Sequence, residues 1–174
     1  MNVIFMSFME KLTHSNQNNG KLRLCLIQST LAGGFVSIFF LMMSYFENGL
    51  VVTSLIASIF IVFIFPTSPA AQSRNLVGGH LISAAVGFLC FYANNLLQGA
   101  DPVFAYTVLF CGLAVFLSTL LMALFGFEHP PAAAFAAGLV LAPSVPILMC
   151  LLGLVCVFVL AGSKKLLFPL YCTD

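Results

Sequence analysis

From Leu24 to Ser163 the chain is interrupted by charge only at Glu47, Arg74, Asp101 and Glu128. In lipid, backbone N–H and C=O groups have no water to bond, so such runs can persist only as helices that satisfy their own backbone or as closed barrels. The apolar runs approach the twenty or so residues that a spanning helix needs. The composition agrees. The chain is 61% hydrophobic and 6% charged, with a mean hydropathy of +1.12, whereas about a quarter of a soluble domain is charged. The reading is an all-α, polytopic membrane helical bundle whose first partner is the lipid bilayer. A net charge of +1 excludes a nucleic-acid partner, because no basic patch can neutralise several phosphates.

Six hydrophobic segments follow from the apolar runs: Leu24–Phe46, Leu50–Phe65, Leu76–Tyr92, Val103–Phe125, Pro131–Ala142 and Pro146–Gly162. The second and fifth are short. The fifth is about 18 Å long as a helix, too short to cross alone. The basic residues are Lys11, Lys21, Arg23, Arg74, Lys164 and Lys165. With six crossings and the N-terminus inside, all of them fall on the cytoplasmic side, as the positive-inside rule requires. The outer loops then hold Glu47, Asp101 and "APSVP". Residues 1–23 read as a cytoplasmic or interfacial N-terminal tail, in which "HSNQNNGKLR" is a polar linker. Residues 24–165 form the transmembrane domain and 166–174 a short cytoplasmic tail. The expected location is a bacterial inner membrane, with both termini cytoplasmic.

Cysteine carries no signal. The chain has 6, with no CxxC and no zinc-type Cys/His spacing. Cys25, Cys90, Cys111, Cys150 and Cys156 lie in apolar runs and read as small core residues. No cofactor or metal site is expected.

Two proline-marked breaks stand out, "FPTSPAAQ" and "FGFEHPPAAA". Each follows a descending segment and opens an ascending one. A tandem two-helix repeat is one reading and a chance recurrence of Pro-Ala-Ala is the other. A tandem repeat would bring both breaks to the same side of the membrane, the arrangement in which transporters place their sites. Ser68-Pro69 reads as an N-cap followed by the first helical position. His129-Pro130-Pro131 reads as a second such start. A helix N-terminus offers free N–H groups and a partial positive charge, and so suits an anion.

Polar side chains gather at these breaks. The candidate binding residues are Ser68, Arg74, Asn75, His80, Glu128, His129, Pro130 and Pro131. Each has a plainer reading. Arg74 is an inside-loop charge, Glu128 a headgroup-level residue pairing with Arg74, and His129 an N-cap. Ionisable groups inside a membrane are costly, which favours a use for His129 and for the deeper His80. Ser73, His80, Ser83 and Gly87 share a face, and Thr107, Cys111, Ala114 and Ser118 form a stripe. Both suit a narrow polar path or plain helix packing.

"FEHPPAAAFAAGLVL" together with "SPAAQSRNLVGGHLISAAVGF" resembles the HPP family of small integral membrane proteins. The family's His-Pro-Pro stands here as His129, Pro130 and Pro131. Its Arg-Asn and Gly-Gly-His stand as Arg74-Asn75 and Gly78-Gly79-His80. The resemblance covers Leu24 to Lys165. It implies four spanning helices, against the six segments counted above. It also implies transport of a small monovalent inorganic anion such as nitrite, by channel or carrier. A scaffold without transport activity is the alternative, weighed down by the short loops. A metal-dependent intramembrane enzyme is less favoured, because no close-spaced ligand set exists. The chain is therefore expected not to be an enzyme. Gly/Ala-rich faces such as Gly33-Gly34 point to a homo-oligomer.

Overall fold

Prolines and glycines divide the apolar chain into six helices among the described residues. The computed structural model describes residues 2–43, 49–98, 103–142 and 146–171; for 2–19, 42, 43, 146, 170 and 171 this is the backbone alone. Helix α1 is Asn2–Met43, α2 Gly49–Ile64, α3 Ser73–Gln98, α4 Phe104–Phe125, α5 Pro130–Val140 and α6 Pro146–Tyr171. A 3-10 turn, Pro69–Ala71, lies between α2 and α3. Glu47, Asp101, Cys172 and the middle of "APSVP" lie outside the described residues.

The helical class and the two short segments are as the sequence predicts. Several boundaries differ. The polar stretch "HSNQNNGKLR" is not a linker: α1 runs through it, since it contains no proline and one glycine costs a helix only about 1 kcal/mol. For the same reason Gly162 does not end α6, which carries Lys164 and Lys165 on to Tyr171. Helix α3 starts at Ser73, so Arg74 and Asn75 occupy its first turn rather than a loop.

Among the described residues four helical stretches are long and apolar enough to span a membrane: Gly20–Leu41, Ser73–Gln98, Phe104–Phe125 and Ile147–Pro169. Helices α2 and α5 are shorter. These four stretches and the two short helices together make up the six segments counted from the sequence. Many large apolar side chains face outward, with Phe104 and Leu124 81% and 70% exposed. Such a surface suits lipid and would aggregate in water.

Helix α5 is the centre of the bundle. Most of its length, Pro131 to Val140, is buried apart from Ala133 and Ala134. Its direction follows from its contacts. A Cβ on Gly138 would lie 2.7 Å from Val51 near the start of α2, while Ser54 and Ser58 farther along α2 reach Pro131 and His129. The two helices are therefore antiparallel. A Cβ on Gly79 would meet His129 and one on Gly87 would meet Ala136, so α3 and α5 run parallel. Because α5 is sheathed by protein, its length does not have to match the bilayer.

Gly126 ends α4 at φ 66°, the left-handed conformation that favours glycine. The N–H of Phe127 then bonds the carbonyl of Met122 at 2.9 Å. This turns the chain sharply from α4 into the His-Pro-Pro start of α5.

Candidate functional site

The two breaks meet. Nδ1 of His129 lies 2.8 Å from the carbonyl oxygen of Ala70, a residue of the first break. A carbonyl only accepts, so Nδ1 carries the proton and donates. Nε2 of the same ring lies 2.9 Å from Oγ of Ser58. Ser58 is also 2.9 Å from the Ser54 carbonyl. Its single hydroxyl proton can serve one of these acceptors at a time. When the ring is neutral, the proton belongs to Nε2.

Further bonds tighten the same junction. Oγ of Ser54 donates to the Pro131 carbonyl at 2.7 Å. The Asn75 side-chain amide donates to Pro69 O at 3.1 Å. Oγ of Ser68 accepts from Ala71 N at 3.3 Å, capping the 3-10 turn. From α6, Lys164 Nζ donates to Pro66 O at 2.9 Å and Ala71 O at 2.5 Å. Lys164 is 9% exposed, so a residue read only as a cytoplasmic-side charge is bonded to the first break.

The helix starts differ from the sequence expectation in one respect. At α5, Pro130 and Pro131 have no N–H, and Ala132 N donates to His129 O at 3.0 Å. At the first break, Ala71 N and Gln72 N donate to Ser68 O and Pro69 O. The N–H groups of Ala71, Gln72 and Ala132 are thus occupied by neighbouring carbonyls.

The candidate residues divide into two groups. His80, His129, Asn75 and Ser68 converge within the junction. Arg74 and Glu128 are exposed and form no ion pair with each other among the described residues. The Arg74 guanidinium instead lies 4.7 Å from the Phe127 ring centroid, a cation–π arrangement. Ser54, Ser58 and Lys164 were not singled out from sequence. The spacing of the two serines on the mostly apolar α2 was their signal, because residues four apart share a helix face.

His80 occupies the heart of the site. Its ring centroid is 5.1 Å from that of His129 and 5.4 Å from that of Phe135. Nδ1 donates to Leu76 O at 2.9 Å. Nε2 has no partner, and neither does Oγ of Ser83 one turn farther along α3; both residues are 0% exposed. Buried polar atoms are nearly always bonded, so two orphans on one helix face require a reason. Among the described residues no three His, Cys, Asp or Glu side chains cluster as metal ligands would.

A bundle of apolar-surfaced helices with two joined proline breaks defines an integral membrane protein of the polytopic helical class. The model of the HPP transmembrane region matches residues 17–168, and the chain belongs to that family. A transmembrane protein of Dictyostelium discoideum is 40% identical over 87 residues, covering 48% of this chain and 27% of the relative. A second from the same organism is 40% identical over 83 residues, covering 48% and 25%. The chain thus spans about a quarter of the length of these curated relatives. No solved structure matches it.

Proposed function

We propose that this protein carries a small monovalent inorganic anion, with nitrite as the substrate, across its membrane. The observation that carries the reading is the buried pair of unpartnered atoms, His80 Nε2 and Ser83 Oγ, beside the junction of the two breaks. A protein keeps such atoms unpaired at a cost of about 1–3 kcal/mol each, which is sensible where a solute completes the bonding.

The geometry also supports one kind of anion over others. With Nδ1 committed to Leu76 O, a neutral His80 presents an acceptor at Nε2, which repels a bare anion. An anion fits when a proton sits between them, on Nε2 or on the solute, and Ser83 donates its hydroxyl. This favours the anion of a weak acid, such as nitrite, over nitrate or chloride. His129 lies against the same ring, while Arg74 and Glu128 are outside the buried site.

The orientation proposed has both termini in the cytoplasm of a bacterial inner membrane, with Arg74 and Lys164 at the inner end of the bundle. The exposed Gly33, Gly34 and Ser37 of α1 are offered as contacts in a homo-oligomer.

The deciding experiment is flux into liposomes for nitrite, nitrate, formate and chloride at two pH values, with Ser83→Ala and His80→Gln alongside. Flux of nitrite and formate that rises with an inward proton gradient and falls in both variants is expected. Equal flux of all four anions, or none with folded protein, refutes the reading.

A further inference from the structure

The α3 face that carries His80 continues through Ser83, Gly87, Cys90 and Asn94, all buried. Steps of three and four residues keep them on one side of the helix. This side turns toward α5, since a Cβ on Gly87 would lie 2.7 Å from the Ala136 carbonyl. On α4 the stripe from Thr107 to Ser118 turns the same way: Cys111 Sγ lies 3.9 Å from the Ala137 carbonyl. Two small, weakly polar faces thus flank α5.

At the end away from the breaks this seam opens into a recess of about 200 Å³, lined in part by Asn94, Asn95, Gln98, Thr107 and the end of α5 at Leu141. Gln98 Nε2 donates to Asn94 Oδ1 at 2.5 Å and to Thr107 Oγ1 at 2.8 Å. With its oxygen engaged, the Asn94 amide has its N–H protons left to offer. Carboxamides and a hydroxyl bind a small anion through donors without a fixed positive charge to trap it, and conduction needs binding weak enough to release.

Between the recess and the orphan Ser83 the seam is apolar. Val86, Cys90, Phe110, Ala114, Ala136 and Val140 pack as one cluster. Along α3 the separation from Asn94 to Ser83 is about 16 Å.

We propose that the Asn94–Gln98–Thr107 recess is the second mouth of the solute route, that the route runs along the α3–α4–α5 seam to Ser83 and His80, and that the Phe110 cluster is its closed gate. This inference rests on the transport reading and adds where the solute enters and what blocks it. Hydrophobic constrictions close pores by excluding water. The seam has that form, a polar mouth and polar inner atoms separated by one dry layer.

The native thiols provide the test. Cys90 and Cys111 lie on the seam, while Cys156 is buried in the other cluster. Thiol reagents attack the thiolate, which needs water. The full chain in liposomes is exposed to a small methanethiosulfonate, and each cysteine is read by peptide mass spectrometry, with nitrite flux measured on the same vesicles. Phe110→Ala is expected to speed labelling of Cys90 by about tenfold with Cys156 unchanged, and nitrite is expected to slow it. Thr107→Val, which keeps the shape and removes the hydroxyl, is expected to lower nitrite flux with folding intact. Acceleration at Cys90 and Cys156 together means general loosening and overturns the route, as does no acceleration at Cys90. Normal nitrite flux with an unlabelled seam sinks the route and leaves the anion reading standing. A labelled seam with no anion flux does the reverse.

Discussion

Nδ1 of His129 donates to the backbone carbonyl of Ala70 at 2.8 Å, and this bond fastens the start of α5 to the turn between α2 and α3. The family's signature histidine is thus a cross-brace between two chain breaks. His80, pressed against it, is the ring with a nitrogen left over.

His129→Ala removes both bonds of this ring, strands the Ala70 carbonyl and opens a cavity. We expect a loss of about 2–4 kcal/mol. Thermal unfolding of purified protein in detergent reads it directly; an unchanged midpoint would contradict the brace. Ser58→Ala should lose less, about 1 kcal/mol, because it leaves the Ala70 bond in place.

Ser83→Ala has the opposite sign. It deletes a buried hydroxyl that has no partner, so the variant should be more stable by about 1 kcal/mol. The same variant should lose nitrite flux. A gain in stability with loss of flux marks a residue kept for function rather than folding. A drop in the unfolding midpoint would show that Ser83 is bonded in the folded protein.

Lys164→Met keeps the apolar stem and removes the ammonium that bonds Pro66 O and Ala71 O. The two carbonyls lose a charged donor, at a cost of about 1–3 kcal/mol. Loosening should be local to the first break, so amide exchange should quicken at residues 66–72 before it does in α4. Uniform quickening across the bundle would argue against a local fastening.

At Gly87 a methyl would meet backbone, Ala136 O at 2.7 Å and Ala136 Cα at 3.0 Å. Neither can move aside as a side-chain end would. Gly87→Ala should therefore push α5 from α3 and cost about 1–3 kcal/mol. Gly33→Ala faces open space on α1 and is the matched control, with no loss expected in the monomer.

The sequence by itself determined the helical membrane class, the position of both breaks and the shortness of α2 and α5. These are local matters: charge is excluded from lipid, proline removes a donor, and helix length follows from the run between breaks. The motif residues were legible for the same reason, as His-Pro-Pro and Gly-Gly-His stand out against an apolar background. What each polar group bonds to was decided only by the tertiary structure. The serines at 54 and 58, and the lysine at 164, find partners at the breaks, far from them in the chain, and nothing near them names those partners. At the two breaks the N–H groups of Ala71, Gln72 and Ala132 are taken by neighbouring carbonyls, and Pro130 and Pro131 have none. The atoms left without partners, on His80 and Ser83, became visible only when every other bond had been placed.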